Sequence, residues 1–554
     1  MTSEPTPYRR LLDLFRARFF ENDTLTPEGG FETNIYQVLG FLVTPGLFIN
    51  TFFAFLELGD MPSGPALDWI IRIHRLVFPA FSFAVVGFVT IFEWDMLFPD
   101  RRDFLILSAF PIRLRTLFAA KVAALGGFLL LLIAAVNFFP IVMTPMFPGA
   151  TPQIREAGRL RMFAAQIAAT GGASVFAFLA VAAFHGLLIN VTSPRSFRRI
   201  SPWIQVTGMS LMIAALLLYP VYSMLLPSMA LLHREWLYYL PPVWFAGLYD
   251  LLMPTHTDPF FASLGVFGLK ALVVAFAVSA VAWAAGFRRH YRRTLEAEDV
   301  ESSPAAFSIS GSFTNSAEED AIFRFTGKIL ARSARHRLFL ATYWSVGISI
   351  GLLTTITVSN GKLGVSSEGL RSFPLLVVFF MVSGFRAAFQ FPAELPSNWL
   401  FRLGESNWSE ISRRATRKRV LLSGLLPALL LFLPLEVWKW GTAMGLFHIV
   451  FQLATGAMLI EVSFWSFDKV PFTCSYFPGK VSLALLAGIY LYGFTEYSFR
   501  MADLETALDG RPWRALLFFV VAAILLVLSW RRHPRAAEVR FDGNEPEIQG
   551  LNLT

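Results

Sequence analysis

Residues 117–144 read LFAAKVAALGGFLLLLIAAVNFFPIVMT, and Lys121 is the one ionised side chain among them. The hydrocarbon of a bilayer takes about 20 helical residues, so this stretch is long enough to cross it. A lone strand there would leave its backbone N–H and C=O groups unpaired in lipid, whereas a helix satisfies them internally. The same reading extends in both directions. Apolar stretches fall at 36–58 and 76–93 before it, and at 163–190, 202–228 and 263–286 after it. Beyond a polar interval they resume at 338–359, 372–392, 420–438, 440–466, 480–498 and 512–530. The expected fold is an all-α polytopic membrane protein with about 12 transmembrane helices in two six-helix halves.

Composition agrees with that reading. Of 554 residues, 55% are hydrophobic and 16% are charged, against about 25% charged in a typical soluble domain. Water would drive such a chain to aggregate, whereas a lipid bilayer solvates it. The net charge of +8 raises nucleic acid as a partner, but the basic residues lie between apolar runs and form no compact patch. The single cysteine, Cys474, excludes an intramolecular disulfide framework and a cysteine-rich metal site. The eight histidines are scattered, so neither a metal nor another cofactor is expected. The first long apolar run begins near Tyr36, behind Arg9, Arg10, Arg16 and Arg18, which is not the pattern of a cleavable signal peptide.

Basic residues collect in alternate loops. Arg101, Arg102, Arg113 and Arg115 are followed by Arg195, Arg198 and Arg199, then by Arg288, Arg289, Arg292 and Arg293. In the second half Arg402, Arg413, Arg414, Arg417, Lys418 and Arg419 precede Arg531, Arg532 and Arg535. The intervening loops are poor in them: 59–69 has none and 230–262 has only Arg234. Basic loops stay in the cytoplasm, so both termini are expected there, with the chain in the inner (plasma) membrane. Loop 146–162, with Arg155, Arg159 and Arg161, fits this pattern least. The acidic, Ser-rich interval 294–320 reads as a flexible cytoplasmic linker. It separates a first membrane half, 1–293, from a second, 321–535, which is followed by a tail at 536–554.

Several segments are amphipathic. In 8–20 (YRRLLDLFRARFF), Tyr8, Leu11, Leu12, Phe15 and Phe19 share one helical face, which predicts an interfacial helix. Between the second and third spans, Pro99 and Asp100 suit a helix start and Pro111 a helix end. The short helix so defined, 100–110, presents Phe104 and Leu107, flanked by Arg101 and Arg102. The second half has a segment at the same place, 396–412, with Trp399, Leu400, Phe401 and Leu403 ahead of a basic cluster. Between spans five and six, the prolines and aromatics of 233–260 predict a helix that dips into the outer interface and turns back. The aromatic loop 468–480 has no assigned role.

An interfacial helix, six spans, a cytoplasmic helix after the second span and a re-entrant element before the sixth resemble the ABC-2 type exporter permeases. The local match is FLILSAFPIRLRTLFAAK, 104–121: a short helix, Pro-Ile, basic residues, and a Lys inside the next span. The resemblance covers most of 1–290 well and 321–530 more weakly. Members usually carry six spans per chain, so this chain reads as two permease halves in tandem. The resemblance implies export of an unknown substrate driven by a separate ABC-type ATPase subunit. That subunit would seat on the cytoplasmic helices through Arg101, Arg102, Phe104, Leu107, Trp399 and Phe401. Gly327-Lys328, Gly361-Lys362 and Gly479-Lys480 all lack the upstream Gly and following Ser or Thr of a phosphate-binding loop. No ATPase activity and no catalytic residues are therefore expected in this chain.

Ionisable residues inside spans are functional candidates, since lipid disfavours them. They are His185 in span four, Lys270 in span six, and His448 and Glu461 in span ten. Lys121 and Lys270 have stems long enough to reach the interface. Packing is the plainer role for both histidines, and Glu461 is placed to pair with Lys469. A rival reading is a secondary transporter with twelve spans driven by an ion gradient, which needs charged coupling residues at membrane depth. A membrane-bound transferase needs clustered carboxylates at the surface. Glu93, Asp100 and Asp103, interleaved with Arg101 and Arg102, read instead as a capped, solvated helix.

Overall fold

The computed structural model describes residues 6–20, 42–49, 65–94, 110–143, 158–232, 234–253, 259–296, 313–359, 361–393, 408–465, 469–473 and 483–531, with single positions at 40, 51, 97, 107 and 467. Among them are 10 helices long and apolar enough to cross a membrane. The chain is an all-α, multi-pass membrane protein. Of the expected spans, 36–58 is described only in part, with 42–49 helical. The stretch 480–498 falls on helix Leu483–Leu508, which is not one of the 10. Its second half carries Glu496, Arg500, Asp503 and Glu505.

The chain divides into two compact units, Met1–Glu301 with Val358–Gly364, and Ser302–Thr357 with Val365–Thr554. The first contains α1 (Pro7–Phe20), α2 (Pro65–Phe92), α3 (Leu114–Met143) and α4 (Arg159–Val191). It continues with α5 (Pro194–Leu217), α6 (Tyr219–Leu232), α7 (Pro241–Leu252) and α8 (Pro259–Glu296). Helix α2 packs on α3, α4, α5 and α7, while α4 packs on α8. The amphipathic α1 lies on α3: Leu11 and Phe15 are buried with Leu117, Ala120 and Ala124. Lys121 is buried, with its ammonium 4.9 Å from the centre of the Phe15 ring. Tyr8, expected on the same apolar face, is exposed. The break at 111–113 falls where Pro111 predicts one.

The expected span 202–228 is two helices. Helix α5 starts earlier, at Pro194, where the Ser193 hydroxyl accepts the Ser196 N–H at 3.2 Å. It ends at Leu217, because Pro220 has no N–H to donate and its ring crowds the preceding turn. Before α8, a 3-10 turn (Arg234–Tyr239) leads into the short α7, which starts on Pro241 and Pro242. Its Phe245 and Leu248 are buried against α4. The Arg75 guanidinium of α2 is 3.3 Å from the Asp250 carboxylate of α7 and lies over the Tyr249 ring. Arg161, expected in the loop that departs from the charge pattern, lies in the first turn of α4 and has a structural task. Its Nε donates to the Leu252 carbonyl at 2.6 Å, satisfying the C-terminal end of α7.

The second unit contains α9 (Ala317–Arg332), α10 (Ala334–Thr355) and α11 (Ser367–Ala388); along the chain, α10 and α11 are joined by a hairpin of β1 (Ile356–Ser359) and β2 (Lys362–Val365), most of which, Val358–Gly364, is counted with the first unit. A long third span follows: α12 (Trp408–Val420), a π turn at Leu421–Leu425, and α13 (Leu426–Trp440). Then come α14 (Thr442–Ser463), α15 (Leu483–Leu508) and α16 (Pro512–Arg531). Helix α11 is central: Leu375, Leu376, Val378, Met381 and Val382 are fully buried, and it packs on α10, α13, α14 and α15. Pro427 explains the π turn, since the helix must absorb a missing N–H and a ring clash one turn upstream.

Two expected boundaries shift. Residues 408–412, taken as the end of a separate cytoplasmic helix, are the first turn and more of α12, because no breaker stands between them and the span. Residues 317–320, taken as linker, form the first turn of α9. The Ser316 hydroxyl accepts the Glu319 N–H at 3.2 Å, and the Glu319 carboxylate accepts the Asn315 N–H at 3.2 Å. That is a reciprocal cap. The same end lowers the Glu318 carboxyl below its ordinary value, through its own backbone N–H first and the Ser316 hydroxyl second. Ser316→Ala should lower stability by about 1 kcal/mol. Thermal unfolding of the variant beside the wild type measures it, and an unchanged midpoint would discount the cap.

Candidate functional site: a buried polar cluster in the second unit

One face of α14 carries His448, Gln452 and Thr455, spaced at i, i+4 and i+7 so that all three point the same way. Each is buried. His448 Nδ1 lies 2.7 Å from Glu505 Oε1 of α15, with both side chains fully excluded from solvent. Gln452 Nε2 donates to Glu436 Oε1 of α13 at 3.1 Å, and Glu436 is 1% exposed. Three helices thus bring two carboxylates, an imidazole and an amide into one apolar interior. Four polar atoms there have no hydrogen-bond partner: Glu436 Oε2, His448 Nε2, Gln452 Oε1 and Glu505 Oε2.

The cluster lies near the ends of its helices, one turn before α13 and α15 finish and two turns after α14 begins. A second layer closes that end. Arg371 of α11 pairs with Asp509 at 3.1 Å and donates to the Thr506 hydroxyl at 2.9 Å. Its guanidinium is 5.8 Å from the Trp440 ring, which in turn stands 4.9 Å from the His448 ring.

At the other end of α14, Glu461 is paired with Arg417 of α12 at 2.8 Å and accepts the Trp530 indole N–H of α16 at 3.0 Å. The expected partner was Lys469. Arg417 prevails because α12 runs unbroken beside α14 and presents a guanidinium at that depth. The His185 ring is 4.3 Å from Trp94 and 5.8 Å from Phe197. Lys270 is exposed on α8, between Leu269 and Val273. Leu107 packs against the cluster that holds Phe15 and Leu117. Arg101, Arg102, Phe104, Trp399 and Phe401 lie outside the described residues.

Sequence reasoning found His448 but missed Glu436, Gln452 and Glu505. Glu436 sits in the last turn of its span, and Glu505 lies past the assigned end of the eleventh. The polar spacing on α14 was the available signal. The first unit has a neutral counterpart: the Ser82 hydroxyl donates to Asn137 Oδ1, and Asn137 Nδ2 donates to the Ser174 hydroxyl at 3.2 Å. No protein-family model matches the chain, and neither a curated protein nor a solved structure does.

Proposed function

We propose that the chain is the membrane-spanning permease subunit of an ATP-driven exporter of the ABC-2 type. In this reading it has twelve spans in two six-span halves, with both termini in the cytoplasm and the chain in the inner (plasma) membrane. A separate ATPase subunit powers it. The supporting observation is a recurrence of packing. In each unit an amphipathic helix lies on the start of the third span, α1 on α3 and α9 on α12. In each the second span packs on the fourth and fifth, and the fourth on the third and sixth. Two permease halves in tandem would produce that pattern. The short helix α7, folded back on α8, fits the re-entrant element that the family resemblance implies.

The test is partner capture. Phe104→Ala should weaken association with the ATPase by about 2 kcal/mol, since buried aromatic anchors dominate such interfaces. Arg102→Ala should act less and lose its effect in high salt. Co-purification of the ATPase with each variant is the readout, and full association by Phe104→Ala would remove the docking role of 100–110. The second reading, an ion-driven secondary transporter, is favoured by the carboxylate and imidazole cluster at membrane depth. It replaces the first if no ATPase co-purifies with the wild type and transport follows an ion gradient.

A further inference from the structure

The unsatisfied atoms of the buried cluster are complementary. Gln452 already donates to one oxygen of Glu436, which leaves an acceptor on each partner, Glu436 Oε2 and Gln452 Oε1. Two acceptors cannot bond to each other without a proton between them. One proton on Oε2 turns the carboxylate into an acid that donates to the amide oxygen, and the pair becomes reciprocal. The His448–Glu505 contact likewise holds one hydrogen between Nδ1 and Oε1, with His448 Nε2 and Glu505 Oε2 in reserve. We propose that Glu436, His448, Gln452 and Glu505 form a proton-binding site in the second unit, filled from the membrane face where α13 ends and α14 begins.

Charges on the neighbouring elements leave the site to be neutralised by protons. From α11 the nearest cation is Arg371, already held by Asp509 in the turn after α15. Helix α13 adds Trp440 beside the imidazole, while its Lys439 is exposed. Helix α15 also contributes Tyr497, and α10 contributes Leu352, which packs on the same apolar cluster as Trp440. From α16 come Phe518 and Phe519, with Arg511 and Arg514 exposed at its start. Two ionised carboxylates in such a place, offset by at most one imidazolium, are strongly disfavoured. Among the described residues no three His, Cys, Asp or Glu side chains are grouped to hold a metal ion. The packing of α13, α14 and α15 is therefore tied to proton occupancy, whichever energy source drives transport.

The test uses the purified full chain in detergent, titrated with acid and base. Imidazolium quenches a neighbouring indole, so the wild type should lose a component of tryptophan fluorescence as the pH falls. That component should vanish in Trp440→Phe and in His448→Gln. Infrared difference spectra of the wild type should show a protonated carboxyl at neutral pH, and Glu436→Gln, which keeps a polar isostere beside Gln452, should lose that band. A fluorescence titration identical in the wild type and Trp440→Phe, together with no protonated carboxyl in the wild type, overturns the proposal. A response to sodium at fixed pH as large as the response to acid also overturns it, in favour of a metal cation. ATPase co-purification is indifferent to these outcomes, so failure here and failure of the exporter reading are told apart.

Discussion

Glu319→Ala is expected to release helix α9 from the third span of its unit, at a cost of about 3–5 kcal/mol. Glu319 and Lys418 form an ion pair at 2.6 Å, with side-chain exposures of only 3% and 11%. Removing the carboxylate leaves an ammonium in a site that excludes water, and an uncompensated buried charge is far worse than a missing pair. The same carboxylate also caps Asn315, so the first turn of α9 loses a partner as well. Among the contacts that remain are Ile322 and Phe323 against Ala415, with the Arg419 guanidinium 3.6 Å from the centre of the Phe323 ring. Limited trypsin digestion reads the release directly, through cleavage after Arg324, Lys328 and Arg332. Replacing both partners by apolar residues, Glu319→Leu with Lys418→Met, should restore most of the protection. Equal digestion of the wild type and Glu319→Ala would show that the pair does not hold α9 in place.

The spans were legible because lipid imposes one rule on them, and a run of apolar residues such as 163–190 or 372–392 satisfies it alone. What the hydropathy pattern could not give was the depth of polar residues near span ends. Glu436 is preceded by LLFLPL and followed by VWKW, so it reads as the polar edge of a segment. Only tertiary placement of α14 and α15 turns that edge into an interior. Glu505 was lost in the same way, one turn from the end of a helix that continues past the assigned boundary. Glu461 was found, but its partner was sought along the chain at Lys469 and came from Arg417, across a helix interface. The hairpin has a local signal in the sequence: Asn360-Gly361 between Ile356–Ser359 and Lys362–Val365 is a strong two-residue turn pattern. Gly361 accordingly has φ +70°.

Gly265→Val is expected to separate α7 from α8 and to lower stability by about 3 kcal/mol, the upper end of overpacking costs. The two helices run antiparallel and cross where Gly247 faces Gly265. A Cβ on Gly265 would lie 2.6 Å from the Gly247 carbonyl oxygen, 2.8 Å from its carbon and 2.8 Å from the Leu248 nitrogen. All three are backbone atoms, so no side chain can rotate away and the helix itself must move. Moving α7 disturbs what it carries, namely Phe245 in its pocket beside Gly172 and Asp250 beside Arg75. The strain therefore spreads to α2 and α4. Gly126 and Gly171 are the controls, since a Cβ at either meets nothing within 4 Å. Gly→Ala there should be neutral or stabilising by up to about 1 kcal/mol, because alanine is the better helix former. Thermal unfolding of the purified variants in one detergent compares them directly. A Gly265→Val midpoint equal to that of Gly126→Ala would mean that the backbone contact does not fix the α7–α8 crossing, and that the helix is held by its aromatic side chains alone.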